Sequence, residues 1–171
     1  MTDSEFREAY GQHKDVLYRF AWRMTGSAAA AEDLVQDCFL LFWRNAALFH
    51  HERGTLRSFL IGVTRNLALK RLRKERPLDE LEEESAVCGQ IDPAARERGQ
   101  MVEQAVGALP PLQRETLILA EYEELSLEEI ARATGAELAA VKSRLHRARQ
   151  NLRRLLAPLL EEKGTTYGTH R

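Results

Sequence analysis

Cysteine is nearly absent from this sequence: Cys38 and Cys88 are the only two, and neither sits in a CxxC pair or beside a suitably spaced histidine. That excludes a disulfide-built scaffold and fits free thiols in a reducing compartment, with a redox pair as the alternative. The five histidines, at 13, 50, 51, 146 and 170, lack metal-ligand spacing, so no metal site is expected. No apolar run approaches the ~20 residues of a membrane span. The opening MTDSEFREAY is polar and acidic, unlike a secretory leader. Prolines are also few, at 77, 93, 110, 111 and 158, and no alternating strand-like run occurs. A phosphate-cradling loop, an activated nucleophile and a metal set are all missing, so neither an enzyme nor a cofactor is expected.

What remains is an all-α chain of ordinary globular composition, 44% hydrophobic and 30% charged. Its 25 Lys+Arg and 26 Asp+Glu nearly cancel, yet the charge is unevenly placed. Lys142 to Arg154 carries six basic residues and no acid, and Arg65 to Arg76 carries six against one. Apolar periodicity fills two stretches and lapses between them, where Pro77, Gly89, Pro93 and the acidic run DELEEES lie. Two small helical domains joined by an acidic linker follow: residues 1–76, a linker 77–100, a second domain 101–160 and a flexible tail 161–171.

In the first domain, GSAAAAEDLVQDCFLLFWRN predicts a helix with Ser27 as N-cap and Glu32 and Asp33 early, where acids suit the dipole. Spacing at about 100° per residue puts Leu34, Val35, Cys38, Phe39, Leu41, Phe42 and Trp43 on a buried face. Asp33, Gln36, Asp37, Leu40 and Arg44 share the other. Leu40 is thus an apolar residue inside a polar stripe. A lone exposed leucine is common; the functional alternative is a protein-docking face centred on it.

The next helix is predicted from about Leu56 or Ser58 to Glu75. Leu56, Leu60, Val63 and Leu67 form its core stripe, with Phe59 at the border and Gly62, Arg65, Asn66, Leu69 and Arg73 opposite. Basic residues suit a helix C-terminus for dipole reasons alone. The mixture of a small residue, an amide and arginines also suits close approach to bases and phosphates. The preceding loop, Phe49 to Thr55, could cup or stack an unpaired base.

The second domain contains LSLEEIARATGAELAAVKSRLHRAR. Ser126 and Glu129 form a capping box that opens a helix from Leu127 to about Ala133. Ala131, Gly135 and Val141 have the spacing of a helix-turn-helix: a small residue for close crossing, a left-handed turn and a core anchor. The second helix carries an apolar stripe of Leu138, Val141, Leu145, Ala148, Leu152 and Leu155. Opposite it stand Lys142, Ser143, His146 and Arg147, placed to reach base edges in a major groove. Arg144, Arg149, Arg153 and Arg154 flank or follow, suited to phosphates. A basic amphipathic helix on a bundle or a membrane is the alternative; the preceding turn motif and the modest apolar face count against the membrane.

Together these segments resemble the extracytoplasmic-function (group 4) sigma factors of the sigma-70 family. AEDLVQDCFLLFW is similar to their region 2.2 and FLIGVTRNLALKRLRKE to regions 2.3 and 2.4. LPPLQRETLILAEYEELSLEEIARATGAELAAVKSRLHRAR is similar to region 4. The resemblance implies that Asp33, Gln36, Asp37 and Leu40 dock on the β′ clamp helices of core RNA polymerase, with the β flap as a further contact. It implies that the Phe49 to Thr55 loop, with Arg65, Asn66 and Arg73, meets the −10 element. Lys142, Ser143, Arg144, His146, Arg147 and Arg149 would meet the −35 element. The linker would cross the polymerase near the RNA path, its acids imitating nucleic acid or serving as a solvated spacer. A cytoplasmic, non-catalytic initiation subunit is implied, with promoter DNA and an anti-sigma factor as partners; that factor could hold it at a membrane into which the chain itself does not insert.

The chain departs from the family pattern at Phe59, usually Trp, and at Ala140, commonly Thr; its 49–55 loop is one residue longer than in some relatives. Three rivals stand beside this expectation. A stand-alone helix-turn-helix regulator leaves the docking helix and the Arg65 to Arg76 surface unexplained. A sigma-like decoy for an anti-sigma factor has no need of that basic surface, and an enzyme lacks its chemistry.

Overall fold

A computed structural model describes residues 1–75 and 98–161 of the chain. The acidic run at 79–85, Cys88 and residues 162–171 lie outside the described residues. The described residues form seven α-helices and no strand.

Helix α1, Asp3–Thr25, begins at a Thr2–Glu5 capping box and ends at Gly26, whose φ of 70° is the left-handed stop that glycine adopts without strain. Ser27 accepts a hydrogen bond from the Ala30 N–H and so opens α2, Ala28–Arg44. Two 3-10 turns, Ala46–Leu48 and His51–Arg53, lead to α3, Leu56–Glu75. The three helices bury Leu17, Phe20, Ala21 and Met24 from α1, Leu34, Cys38 and Phe39 from α2, and Leu60, Ile61 and Ala68 from α3.

The second half runs α4, Arg98–Ala108; α5, Pro111–Leu117; α6, Leu127–Thr134; and α7, Leu138–Glu161. Pro111 stands in the first turn of α5, where its missing N–H is not needed. Helix α5 continues as a π-helical turn, Ile118–Tyr122, closed by the Glu123 N–H donating to the Ile118 carbonyl at 3.1 Å. Pro158 lies inside α7, near its C-terminal end.

The two halves share one continuous apolar core rather than standing apart. Arg114, almost wholly buried, is a main tie. Its guanidinium donates to the carbonyls of Met24 at 2.5 Å, Gly107 at 2.6 Å and Leu109 at 2.9 Å, joining α5 to the end of α1.

Two predicted faces are corrected. Leu41 and Trp43, expected in the core, are 41% and 45% exposed. Helix α2 packs mainly against α1 and α3, so its apolar arc is wider than its buried one. On α3 the buried line is Leu60, Ile61, Thr64, Ala68, Leu69 and Leu72; Leu56, Val63 and Leu67 are only partly covered. Leu69, predicted opposite the core, is inside it. Apolar residues surround most of α3, so periodicity alone does not choose which arc packs inward.

Cys38 is buried against α3, its thiol donating to the Leu60 carbonyl at 3.6 Å, and burial pushes its pKa up to about 11. Few thiolates form at neutral pH. Cys38 is therefore expected to resist iodoacetamide at pH 8 in the native protein and to react fully in denaturant, read by intact mass in a Cys88→Ser background.

Candidate docking face and nucleic-acid interfaces

The candidate docking face is the exposed side of α2. Asp33, Gln36, Asp37 and Leu40 all lie on the surface there, and Leu40 is 47% exposed. Asp33 is paired loosely with Arg71 of α3 at 3.4 Å, which ties the face to the basic helix behind it. Leu40, Gln36 and Asp33 form one wall of a groove of about 510 Å³ whose other wall is Phe6, Tyr10 and Lys14 of α1. An aromatic cluster supports that wall: Phe6 meets Trp43 edge-on at 4.8 Å between centroids, and Tyr10 meets Phe39 at 4.8 Å. Tyr10 carries no local signal in the sequence and Trp43 was expected in the core; the cluster forms only where α1 and α2 meet.

The first nucleic-acid candidate is the loop before α3 with the exposed side of that helix. Phe49 is half-buried, its ring 5.5 Å from Phe59, which in turn stands 6.2 Å from Phe42. Phe59 thus supports the loop base. Residues 50–55 are exposed and enclose a cavity of about 610 Å³. Its far wall is not from this half: Glu129, Arg132 and Ala133 of α6 supply it. Asn66 and Arg73 are exposed, as expected. Arg65 is not. Its Nε and Nη2 donate to both oxygens of Glu115 at 2.6 and 2.8 Å, and its Nη1 to Asn66 Oδ1 at 3.1 Å.

Glu115 is fully buried in α5. Burial pushes its carboxyl above the ordinary range, and Arg65 foremost, then Arg144 and Arg73, pull it back. Sequence had no signal for this cluster, whose members come from three helices.

The second candidate is α7. Ser126 accepts from the Glu129 N–H at 3.2 Å and Glu129 accepts from the Ser126 N–H at 2.7 Å, completing the predicted capping box. Gly135 has φ 69°, and Val141 and Ala148 are fully buried, so turn and anchor stand where the spacing put them. Lys142, Ser143 and His146 are exposed and Arg147 half-exposed on the outward side. Arg149 is paired with Glu121 at 2.5 Å on the surface. Arg144 is half-buried beside Glu115, apart from the exposed set.

No atom lies within 4 Å of where a Cβ on Gly135 would stand, so an alanine there meets no clash and only the left-handed backbone. Gly135→Ala is expected to lower stability by about 1–2 kcal/mol, read in urea unfolding, with Gly135→Asn losing less.

Among the described residues no group of carboxylates, histidines or cysteines could hold a metal, and no helix is long and apolar enough to cross a membrane.

Comparison with known proteins agrees with this layout. Residues 9–77 match Sigma-70 region 2 and residues 99–152 match Sigma-70 region 4. The ECF RNA polymerase sigma factor SigE of Mycolicibacterium smegmatis is 34% identical over 158 residues, 88% of this chain and 61% of that protein. The chain therefore spans about three-fifths of that relative's length. SigW of Bacillus subtilis, also an ECF RNA polymerase sigma factor, is 29% identical over 169 residues, 90% of each chain. Among solved structures, the sigma factor RpoE in complex with the anti-sigma factor NepR from Bartonella quintana matches with a TM-score of 0.71 and 26% identity, over 90% of this chain and 97% of that one. CnrH in complex with the cytosolic domain of CnrY matches with a TM-score of 0.70 and 25% identity, over 92% and 90%. The chain belongs to the ECF sigma factors of the sigma-70 family.

Proposed function

We propose that this chain is a promoter-specificity subunit that binds core RNA polymerase and directs initiation at promoters with −35 and −10 elements. The observation that carries the proposal is the pairing of two basic helical surfaces, on α3 and α7, with a third, mixed face on α2. The domain division 1–76, 77–100, 101–160 and 161–171 gives each nucleic-acid surface its own unit. Asp33, Gln36, Asp37 and Leu40 dock on the β′ clamp helices, and the second unit meets the β flap. Phe49, Arg65, Asn66 and Arg73 serve the −10 strand. Lys142, Ser143, His146 and Arg147 reach into the −35 major groove, while Arg144 and Arg149 assist at phosphates.

The chain itself performs no chemistry. Holding two weak readers on one polymerase raises the effective concentration of the second once the first is bound, so specificity comes from joint engagement. Captured −10 bases offset an unstacking cost of a few kcal/mol. The place of action is the cytoplasm. An anti-sigma factor is the expected regulator, since the structurally similar sigma factor RpoE is in complex with one.

A gel shift on a promoter duplex tests the reading. The chain alone should bind weakly and the chain with core polymerase tightly. Tight, sequence-specific binding by the chain alone would favour a stand-alone helix-turn-helix regulator instead.

A further inference from the structure

Two exposed arginines of α7, Arg149 and Arg154, are each held by another side chain. Arg149 donates through Nε and Nη2 to Glu121 Oε1, at 3.0 and 2.5 Å. Arg154 donates through Nη2 to Asn151 Oδ1. Asn151 is fixed in turn from beneath, its Nδ2 donating to Gln113 Oε1 of α5 at 2.7 Å. Gln113 is buried, where α5 packs on α7. A relay of side chains thus runs from the core, through Asn151, to an arginine on the surface.

At about 100° per residue, Arg149 and Arg154 stand about 140° apart around the helix. Ser143, His146 and Gln150 lie in the arc between them, all exposed. Along the axis the two arginines are about 7.5 Å apart. They therefore edge the outward face, one on each side of the residues placed to read bases. A helix in a major groove has a phosphate backbone along each side.

We propose that Arg154 binds a backbone phosphate of the −35 duplex on the side of the groove opposite Arg149, and that Asn151 and Gln113 are positioning residues that aim it. The inference rests on the −35 role proposed above for α7. A buried amide keeps its polar atoms bonded, so Gln113 fixes the orientation of Asn151. An exposed contact between residues three apart on one helix adds little stability. Its effect is to restrict a long side chain, which otherwise loses rotamer freedom when it binds. The relay is also neutral, whereas Glu121 brings a carboxylate to Arg149. Arg154 thus keeps its whole charge, and the rest of its N–H donors, for the two-oxygen face of a phosphate.

The test uses the full chain bound to core polymerase and a series of fluorescein-labelled promoter duplexes. Each duplex carries one neutral methylphosphonate among the phosphates flanking the −35 element. In the parent, neutralising the phosphate met by Arg154 should weaken binding about eightfold in ~0.1 M salt, the counterion-release share of one contact. With Arg154→Ala that duplex should bind as well as the unmodified one, while every other position keeps its effect. Asn151→Asp, which changes no volume and sets a carboxylate against Arg154, should abolish the same sensitivity, and Asn151→Ala should reduce it. An identical methylphosphonate profile in the parent and Arg154→Ala would overturn the phosphate contact. So would a loss spread evenly over all duplexes, the mark of a merely structural role. A profile altered by Arg154→Ala but by neither Asn151 variant would overturn the positioning. Failure of the −35 role itself reads differently: scrambling the −35 sequence would leave binding by the parent unchanged, and that result overturns both.

Discussion

Leu40→Asp is expected to remove co-purification with core RNA polymerase while leaving the thermal unfolding curve of the isolated chain nearly unchanged. Leu40 is 47% exposed, so the fold loses little when it is replaced. Its value lies in what it will bury. Sealing a leucine against a partner is worth about 1.5–3 kcal/mol, and an aspartate there would instead bring a charge to be desolvated. A central interface residue of this kind costs on the order of 2–4 kcal/mol when lost, or at least tenfold in affinity. The acidic neighbours Asp33 and Asp37 make the substitution harsher, since a third carboxylate repels them. Normal recovery with core would remove the docking face from α2. Tyr10→Ala, on the opposite wall of the same groove, should show a smaller loss in the same assay.

Arg147→Ala is expected to reduce initiation at promoters that depend on the −35 element by about 1–3 kcal/mol if the guanidinium reads a base edge. Promoters tolerant of a poor −35 element should lose less. The residue stands on the outward side of α7 with Lys142, Ser143 and His146, and no ion pair among the described residues holds it. Arg149 differs, because Glu121 already holds it on the surface. Arg149→Ala should therefore weaken binding evenly across promoters, as a phosphate contact does. A promoter profile left unchanged by Arg147→Ala, measured by sequencing transcripts from a promoter library, would take Arg147 out of the reading set.

The helix-turn-helix was legible in the sequence because its determinants are local. Ser126 and Glu129 satisfy each other's backbone within three residues, Gly135 needs only its own φ, and Val141 follows at a fixed offset. The exposed stripe of α2 was legible for the same reason, with Leu40 marked by its polar neighbours. Helix α3 was harder. With apolar side chains around most of its surface, the buried line could be drawn through Val63 and Leu67 or through Ile61, Thr64 and Ala68, and only packing against α1, α2 and α6 decides. The contacts of Arg65 were beyond local pattern altogether, since Glu115 lies 50 residues away. Arg114 was hidden likewise: a charged residue in a helix reads as surface until three carbonyls are seen to surround it. The π turn that brings Tyr122 and Glu123 towards the first half has no sequence mark either.

Run-off transcription with purified core polymerase on a randomised promoter library tests the central claim most directly. Adding the chain should yield transcripts whose start sites share two sequence elements at fixed −35 and −10 spacing, with Arg147→Ala relaxing the first and Arg65→Ala or Asn66→Ala the second. Transcripts no more numerous or more selective than those from core alone would contradict the account.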